Sequence, residues 1–205
     1  MFITFEGGEG SGKTSVIREV EKALIKKGYQ VLVTREPGGS LVAEQIRQVI
    51  LDSKNTSITP ATEALLFAAS RTQHLEEKII PALNEGKVVL CDRYVDSSLA
   101  YQAYGRDLGF DFVSKANNFA FKHMPNITFY LDVLPEIGLK RIKKRDDLNR
   151  LDKEEISFHE KVREGYFKLL EMYPERIVKI NANETIEVSL NEIMKVLEER
   201  LWNVL

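Results

Sequence analysis

The amino-acid sequence predicts an α/β fold in which a five-stranded parallel sheet is flanked by helices on both faces. Clusters of apolar, β-branched and aromatic residues, typical of short buried strands, occur at about residues 2–5, 30–34, 87–91, 127–131 and 176–180. Longer stretches with helical spacing separate these clusters. Strands that alternate with helices in this way form a parallel sheet covered on both sides.

The helices are predicted from their spacing and from the residues that begin and end them. The first covers about 12–27, directly before a glycine that suits the left-handed residue after a helix. Thr59 and Pro60 are a typical N-cap and first helical residue, and they open a long helix that Pro81 bends and Gly86 ends. Further helices are predicted near 40–51, 97–104, 111–123, 135–145, 154–172 and 185–201.

Length and composition limit the class of protein. At 205 residues the chain is expected to form one domain, with at most an inserted lid. Its net charge of −2 argues against a general binder of nucleic acid or membrane surfaces, which carries a basic excess. The single cysteine, Cys91, cannot form an intramolecular disulfide, and no Cys/His cluster has zinc-site spacing. With no signal-like or bilayer-length apolar segment, we expect a cytoplasmic protein.

The segment GGEGSGKT, residues 7–14, directly follows the first predicted strand. It fits G-x-x-x-x-G-K-[ST], in which backbone N–H groups surround the phosphates of a nucleotide at the start of a helix. Lys13 would reach the β- and γ-phosphates, and the Thr14 hydroxyl would bind Mg²⁺. The alternative is a glycine-rich turn that binds nothing. The sequence thus predicts a three-layer P-loop fold, with nucleotide-binding residues Gly7, Gly8, Glu9, Gly10, Ser11, Gly12, Lys13, Thr14 and Ser15.

Charged or glycine-rich segments follow four of the predicted strands. The first strand is followed by the phosphate loop, the second by REPGG, the third by DRYVDSSLAYQ and the fourth by a basic stretch. In open parallel sheets, ligands bind beyond the carboxyl ends of the strands. Charged or glycine-rich segments after four strands indicate an enzyme rather than a passive binding protein.

Asp92 and Arg93 end the third predicted strand. From this position the Asp92 carboxylate can hold Mg²⁺ or its waters beside Thr14, although an aspartate at a strand end is also a common helix cap. The planar guanidinium of Arg93 can clamp both an acceptor phosphate and the transferred group. The alternative for Arg93 is a surface ion pair.

A basic stretch after the fourth predicted strand predicts a mobile lid over about 141–152. In phosphoryl transfer, arginines above the γ-phosphate neutralise developing charge, and a closed lid keeps water from the reaction. Arg150 is predicted to be the catalytic arginine of this stretch. For the lysines, the alternative to a catalytic role is a position on a helix face exposed to solvent. The basic residues are Lys140, Arg141, Lys143, Lys144, Arg145 and Arg150.

Phe67 and Arg71 lie four residues apart on the long predicted helix and therefore share one face. A ring that stacks on a base and a guanidinium that donates to a carbonyl would form a nucleobase pocket. Phe67 by itself is more typical of core packing. The three histidines, which show no partner pattern, are expected to be structural or surface residues; they are His74, His123 and His159.

Five segments in this order resemble the bacterial thymidylate kinases over nearly the whole chain: FEGGEGSGKT, TREPGG, LLFAASR, DRYVDSSLAYQ and NRLD. Many families share the phosphate loop, but TREPGG together with DRY and the run that follows it is specific. The resemblance implies transfer of the γ-phosphoryl group of ATP to dTMP, giving dTDP, with Mg²⁺ and in a homodimer.

The resemblance also implies roles for individual residues. Glu9 would contact the 3′-hydroxyl of the acceptor sugar, Phe67 would stack on thymine and Arg71 would donate to its O4. Arg141 would stack on adenine, next to residues 181–183. Further acceptor contacts are implied for Arg35, Glu36, Arg47, Arg93, Ser98, Tyr101 and Gln102.

Gly10 stands where one variant of the family has an arginine in the phosphate loop. The resemblance therefore implies that a lid residue, Arg150 or Arg145, supplies the catalytic arginine. The nearest alternative function is phosphorylation of another nucleoside monophosphate or of a deoxynucleoside, because the Gln102 amide can serve several bases. A GTP-dependent switch or regulatory ATPase is a more distant alternative: the sequence has no D-x-x-G, and residues 149–152 only imitate [NT]-K-x-D.

Overall fold

A computed structural model describes residues 1–143 and 148–201 of the chain. It contains a five-stranded sheet in which every adjacent pair of strands is parallel, in the order β2-β3-β1-β4-β5. The predicted α/β class with a five-stranded parallel sheet is confirmed, and each predicted strand agrees to within one residue at either end. The strands are Phe2–Glu6 (β1), Val31–Arg35 (β2), Val88–Asp92 (β3), Ile127–Asp132 (β4) and Ile177–Asn181 (β5).

The helices lie between and after these strands, close to the predicted ranges. Within the described ranges they are Lys13–Lys26 (α1), Leu41–Leu51 (α2), Pro60–His74 (α3), Ile80–Asn84 (α4), Val95–Ser98 (α5), Phe110–Ala116 (α6), Asn118–Phe121 (α7), Pro135–Ile142 (α8), Ile156–Met172 (α9) and Ile186–Leu201 (α10). No helix among them combines the length and the apolar character needed to cross a membrane.

The long predicted helix begins as expected but is interrupted before Pro81. The Thr59 hydroxyl accepts a hydrogen bond from the Thr62 backbone N–H at 3.3 Å. A π-helical segment, Leu75–Ile79, then joins α3 to α4. Since proline has no backbone N–H to donate, a regular α-helical ladder cannot continue through residue 81. The predicted interruption is therefore observed as a wider helical turn before Pro81.

Two other helices also depart from prediction. The helix predicted near 97–104 begins at Val95 and continues from α5 as a π-helical segment, Leu99–Gly105. The helix predicted near 111–123 divides at Asn117 into α6 and α7. Asn117 is buried, and its side-chain oxygen accepts a hydrogen bond from Arg71. The break therefore places a polar group beneath the site described below.

Both faces of the sheet are covered, as expected for parallel strands. Ile3 and Phe5 of β1 pack with α1 and α10 on one face, whereas Phe2 packs with the π-helical segment before α4 on the other. β1 lies in the middle of the sheet, with β3 on one side and β4 on the other. The segments that follow β1, β3 and β4 therefore emerge side by side at the carboxyl edge.

Candidate active site

A cavity of about 300 Å³ opens at the carboxyl edge of the sheet. Residues from the phosphate loop, the segment after β2, α2, α3 and the segment after β3 line it. It brings together most of the predicted site residues: Glu9, Gly10, Ser11, Gly12, Lys13, Thr14, Ser15, Arg35, Glu36, Arg47, Phe67, Arg71, Asp92, Arg93, Tyr101 and Gln102. The predicted residues that do not line it are Gly7, Gly8, Ser98, Arg141, Arg150 and residues 181–183, together with Arg145, which lies outside the described residues.

The phosphate loop is closed around the Lys13 ammonium group. Lys13 Nζ donates to the backbone oxygens of Gly7 and Gly8 and to Ser11 Oγ, each at 3.1 Å. Burial and the nearby positive charge of Arg93 lower the pKa of Lys13 to about 8. A negatively charged ligand in the loop would offset this desolvation cost. The lysine is therefore placed to bind an anion.

Thr14 and Asp92 meet across the first and third strands. The Thr14 hydroxyl donates to Asp92 Oδ2 at 3.2 Å. Asp92 does not cap α5, because the N-cap residue of that helix is Tyr94, whose side chain forms no capping hydrogen bond. Hydroxyl and carboxylate oxygens are ligands that Mg²⁺ prefers, and two protein ligands leave room for waters and phosphate oxygens. The pair fits a magnesium site.

The Arg93 guanidinium joins the phosphate loop to the segment after β3. It donates to the Gly7 backbone oxygen at 2.9 Å, to Ser97 Oγ at 3.2 Å and to Glu9 Oε1 at 2.7 Å. The Tyr101 hydroxyl donates to the same Glu9 oxygen at 2.9 Å, and the guanidinium lies 4.9 Å from the Tyr101 ring centroid. Burial opposes the ionisation of Glu9, but the charges of Arg93 and Lys13 outweigh it and hold the pKa of Glu9 below its ordinary value.

Arg71 lines the cavity and is only 2% exposed. Its Nε donates to Glu36 Oε2 at 2.6 Å, and its terminal nitrogens donate to Ser98 Oγ, Asn117 Oδ1 and the Tyr94 backbone oxygen. A guanidinium has five N–H groups. Four are thus engaged with the protein, and one is left for a ligand.

Phe67 lies between the cavity and the core. It lines the cavity, and it also packs in a small cluster with Ile50 and Leu151. With 9% of its surface exposed, the ring is held by this cluster on one side. The stacking role of Phe67 stays a prediction.

His74 extends the Arg71 network away from the cavity. Its Nδ1 lies 3.1 Å from Glu36 Oε1, and its Nε2 lies 2.7 Å from Thr34 Oγ1. The expectation of a structural or surface histidine did not foresee this contact with a predicted site residue. The available signal was its spacing: His74 comes three residues after Arg71, on the same face of the helix.

Glu36, His74 and Cys91 bring potential metal-ligand atoms within 4.8 Å of one another. Hydrogen bonds already engage all three, since Cys91 Sγ donates to the Arg93 backbone oxygen at 3.1 Å. Burial and the charge of Glu36 raise the pKa of the Cys91 thiol well above its ordinary value, which disfavours a thiolate ligand. We interpret the group as a buried set of hydrogen-bonded side chains behind Glu36, which itself lines the cavity.

Glu63 was missed by the sequence analysis, yet it gathers three polar side chains. The carboxylate is 1% exposed and accepts from Gln102 Nε2 at 2.9 Å, from Arg106 and from Arg150 at 2.6 Å. Arg150 also donates to the Ile50 backbone oxygen at 3.1 Å. Arg150 is therefore tied to α3 and the end of α2 in this structure, and its catalytic role stays a prediction.

Arg47 and Arg35 converge on the segment after β2. Both donate to the Pro37 backbone oxygen, at 2.7 Å and 3.1 Å respectively, and Arg35 is also paired with Glu44. Burial and the charge of Arg35 lower the pKa of Arg47. The two arginines supply positive charge on the α2 side of the cavity.

Arg141 connects the phosphate loop to the segment after β5. Its guanidinium donates to the backbone oxygens of Gly10 at 3.2 Å, Ala182 at 3.0 Å and Asn183 at 3.4 Å. The structure thus joins Arg141 to residues 181–183, both of which the resemblance assigned to the adenine side. Two other residues of the predicted lid, Lys144 and Arg145, lie outside the described residues.

Comparison with known proteins identifies the family. A family model described as thymidylate kinase matches residues 5–193. The chain is 57% identical to the thymidylate kinase of Acholeplasma laidlawii, covering 98% of this chain and 100% of that protein. It is 54% identical to the Clostridium novyi thymidylate kinase, with 96% and 98% covered. The crystal structure of Ehrlichia chaffeensis thymidylate kinase superposes with a TM-score of 0.79 at 32% identity, covering 96% and 98%.

The chain belongs to the thymidylate kinase family. This confirms the resemblance inferred from the motifs. The match runs through the phosphate loop, the segments after β2 and β3 and the helix that carries Arg71. The cavity described above therefore lies in the part of the chain that defines the family.

Within this thymidylate kinase fold, backbone packing explains the glycine at position 10. Gly10 has a φ of +66°, and a Cβ there would lie 2.2 Å from the backbone oxygen of Gly138 in α8. A side chain would therefore strain the loop and push α8 away. The backbone contact with α8 thus favours glycine over any residue with a side chain at position 10.

Glu6, the last residue of β1, is a second functional candidate that the sequence analysis missed. Its side chain is fully buried, and burial together with the charge of Asp96 raises the pKa of Glu6 to about 7. Between roughly pH 4.5 and pH 7, the folded protein therefore holds a proton at Glu6 that the unfolded chain has lost. The Glu6 contribution to the free energy of unfolding falls as pH rises through this window.

We predict that Glu6→Gln removes this pH-dependent contribution, because glutamine does not titrate. Urea unfolding of the wild type and the variant at pH 5 and pH 8 measures the effect. The wild type is expected to lose stability relative to the variant between the two pH values. Parallel pH dependence of both proteins would contradict the raised pKa.

Proposed function

We propose that this chain phosphorylates dTMP, transferring the γ-phosphoryl group of ATP to give dTDP and ADP for dTTP synthesis. The observation that carries the proposal is one cavity with two different ends. Lys13 and the phosphate loop form one end, and Phe67 and Arg71 form the other. Arg93 lies between them, in contact with the loop. Two nucleotides that bind with their phosphates facing each other would match this arrangement.

The donor half would hold ATP. The loop N–H groups and the Lys13 ammonium would bind its phosphates, and Arg141 with residues 181–183 would contact adenine. We propose that Thr14 and Asp92 would hold Mg²⁺, which would supply charge neutralisation at the nucleotide phosphates. Lys13 would exchange its present hydrogen bonds to loop oxygens for bonds to phosphate.

The acceptor half would hold dTMP. Phe67 would stack on thymine, and the remaining Arg71 N–H would donate to O4. Gln102 donates its amide N–H to Glu63, which leaves its carbonyl oxygen to accept from N3–H. We assign further contacts to the acceptor phosphate, the sugar and the base edge to Glu36, Arg47, Arg93, Glu9, Tyr101 and Ser98.

Transfer itself needs alignment and charge neutralisation more than a protein nucleophile. The Arg93 fork can contact the acceptor phosphate and the transferred group together, because it already spans the space between the loop and Ser97. We propose that a lid arginine, Arg150 or Arg145, adds positive charge when the segment over about 141–152 closes. For Arg150 this requires release of its ion pair with Glu63.

A coupled assay with competing acceptors tests the function. With ATP and Mg²⁺, we expect turnover with dTMP to exceed turnover with dUMP, CMP or GMP. Better use of any of these three would overturn the proposed acceptor. Omitting Mg²⁺ should abolish turnover, and full activity in a chelator would overturn the metal assignment.

We further propose that the protein is a cytoplasmic homodimer. Helices α2 and α3 pack together and expose apolar side chains at Leu41, Val42, Val49 and Leu65, of which Leu41 is 74% exposed. A second copy of the chain would cover such a surface. Sedimentation of the wild type and of a Val42→Asp variant tests the pairing: the variant is expected to shift to monomer, and a monomeric wild type would contradict it.

Arg71→Lys is expected to raise KM for dTMP by at least about tenfold, equivalent to about 1.4 kcal/mol, with little change in KM for ATP. Lysine keeps a positive charge for Glu36 but lacks the planar set of donors that reaches a carbonyl. Steady-state kinetics with each substrate varied measures the split. Arg176→Lys is the control, since Arg176 pairs with buried Asp96 and does not line the cavity. An unchanged KM for dTMP would remove Arg71 from the base pocket.

A further inference from the structure

Glu6 is a buried carboxylate for which the proposed function has no role. It is the last residue of β1 and directly precedes the phosphate loop, and its side chain is 0% exposed. Burying an ionisable group is costly unless hydrogen bonds compensate for lost water. Its partners therefore indicate why a carboxylate stands here.

Three donors from two segments converge on Glu6. Its Oε1 accepts the Tyr94 backbone N–H at 2.7 Å. Its Oε2 accepts the Ser97 hydroxyl at 2.5 Å and the Tyr166 hydroxyl of α9 at 2.8 Å. An ionised carboxylate accepts all three, whereas an amide has one oxygen and must donate through its nitrogen.

Two of these contacts lead to Arg93. The Tyr94 N–H belongs to the peptide that directly follows Arg93, while the Arg93 N–H donates to the Phe5 backbone oxygen at 2.9 Å. β1 thus holds both peptides that flank Arg93. Ser97 Oγ, held by Glu6, in turn accepts a hydrogen bond from the Arg93 guanidinium at 3.2 Å.

The backbone at Arg93 needs such support. Its φ is +70°, a left-handed conformation that costs a residue other than glycine about 1 kcal/mol or more. Strain of this kind persists only where neighbouring contacts fix it. The Glu6 contact to the next peptide and the Phe5 contact to the preceding one fix both sides.

The buried carboxylate next to Glu6 pairs with another residue, whereas Glu6 contacts the Arg93 segment. Asp96, the other buried carboxylate nearby, is paired with Arg176 through two hydrogen bonds of 2.6 Å and 2.8 Å. Among the described residues, the contacts of the Glu6 carboxylate are the three neutral donors named above, and it forms no ion pair with any of these residues. It therefore acts on Arg93 through Tyr94 and Ser97 rather than by direct charge pairing.

We propose that Glu6 is a positioning residue that fixes the backbone and the guanidinium of Arg93 for contact with the acceptor phosphate. This inference rests on the proposed role of Arg93 in phosphoryl transfer. It adds a residue that touches neither nucleotide. Its loss misplaces a group needed in the transition state, so it lowers kcat rather than substrate binding in general.

A double-mutant cycle of Glu6→Gln and Arg93→Lys tests the proposal. Glu6→Gln is expected to lower kcat at least tenfold with KM for ATP within twofold of the wild type. Because Glu6 acts through Arg93, the double variant should be little slower than Arg93→Lys alone. The proposal is overturned if the reductions of kcat caused by the two substitutions multiply in the double variant. A folded Glu6→Gln variant with kcat within twofold of the wild type would also overturn it.

Asp132→Asn is the matched control, because Asp132 is a buried carboxylate at the end of the adjacent strand, paired with Arg163 instead of contacting the Arg93 segment. We expect its kcat to stay within twofold of the wild type; a loss equal to that of Glu6→Gln would overturn the specific link to Arg93.

If Glu6→Gln does not fold, Ser97→Ala tests the proposal instead. An unchanged kcat in Ser97→Ala overturns the proposal. A loss of kcat that disappears when Ser97→Ala is combined with Arg93→Lys supports it. A wild type inactive on dTMP would instead overturn the proposed function.

Discussion

Lys13→Ala is expected to lower kcat for dTMP phosphorylation by about 10²- to 10³-fold, the usual effect of removing one preorganised charge from a transition state. In the present structure Lys13 Nζ is held by the Gly7 and Gly8 backbone oxygens and Ser11 Oγ. These partners keep the ammonium inside the loop, where the β- and γ-phosphates of ATP would bind. Alanine removes the charge and leaves the backbone of the loop able to form.

The stability of the same variant gives a second readout. Folding lowers the pKa of Lys13 to about 8, so the folded protein disfavours this charge relative to the unfolded chain. We therefore expect Lys13→Ala to unfold at the same temperature as the wild type or higher. Lys22→Ala, an exposed lysine of the same helix paired with Glu19, is the control and should retain full turnover. Near-normal turnover of Lys13→Ala would contradict the assigned role.

The strands could be predicted accurately because each is a short apolar cluster between polar segments, and each prediction agrees to within one residue. The strand order could not, since apolar periodicity carries no information on which strands pair. That order matters for function. Thr14 meets Asp92 because β1 pairs with β3, where Phe5 lies opposite Asp92. Both residues were predicted as metal ligands from local sequence, whereas only long-range strand pairing brings their side chains together.

The residues of the site that belong to recognisable sequence motifs could be predicted. The buried polar residues that hold them in place could not. Glu6, Glu63 and His74 are each almost completely buried, and their partners are distant in sequence. Glu6, for example, contacts Tyr166, 160 residues away. A lone glutamate at a strand end has many possible partners. Only the three-dimensional contacts decide among them.

Arg93→Lys is expected to lower kcat by at least about 10²-fold, because the proposed contact to two phosphoryl groups depends on a planar fork and not on charge alone. The guanidinium now spans Gly7, Ser97 and Glu9. A lysine ammonium can neutralise one of these positions but cannot bridge them. Rapid-quench measurement of a single turnover separates this chemical step from product release.

Arg163→Lys provides a control for the loss of a paired guanidinium that is only partly buried. Arg163 pairs through two nitrogens with Asp132 and lies 4.8 Å from the Phe167 ring centroid, so it shares the ion pair and ring contact of Arg93. It does not line the main cavity. If catalysis needs a planar guanidinium next to the transferred phosphoryl group, only the Arg93 variant should show a reduced single-turnover rate. Equal losses in both variants would indicate a general packing defect and would contradict the proposed role of Arg93.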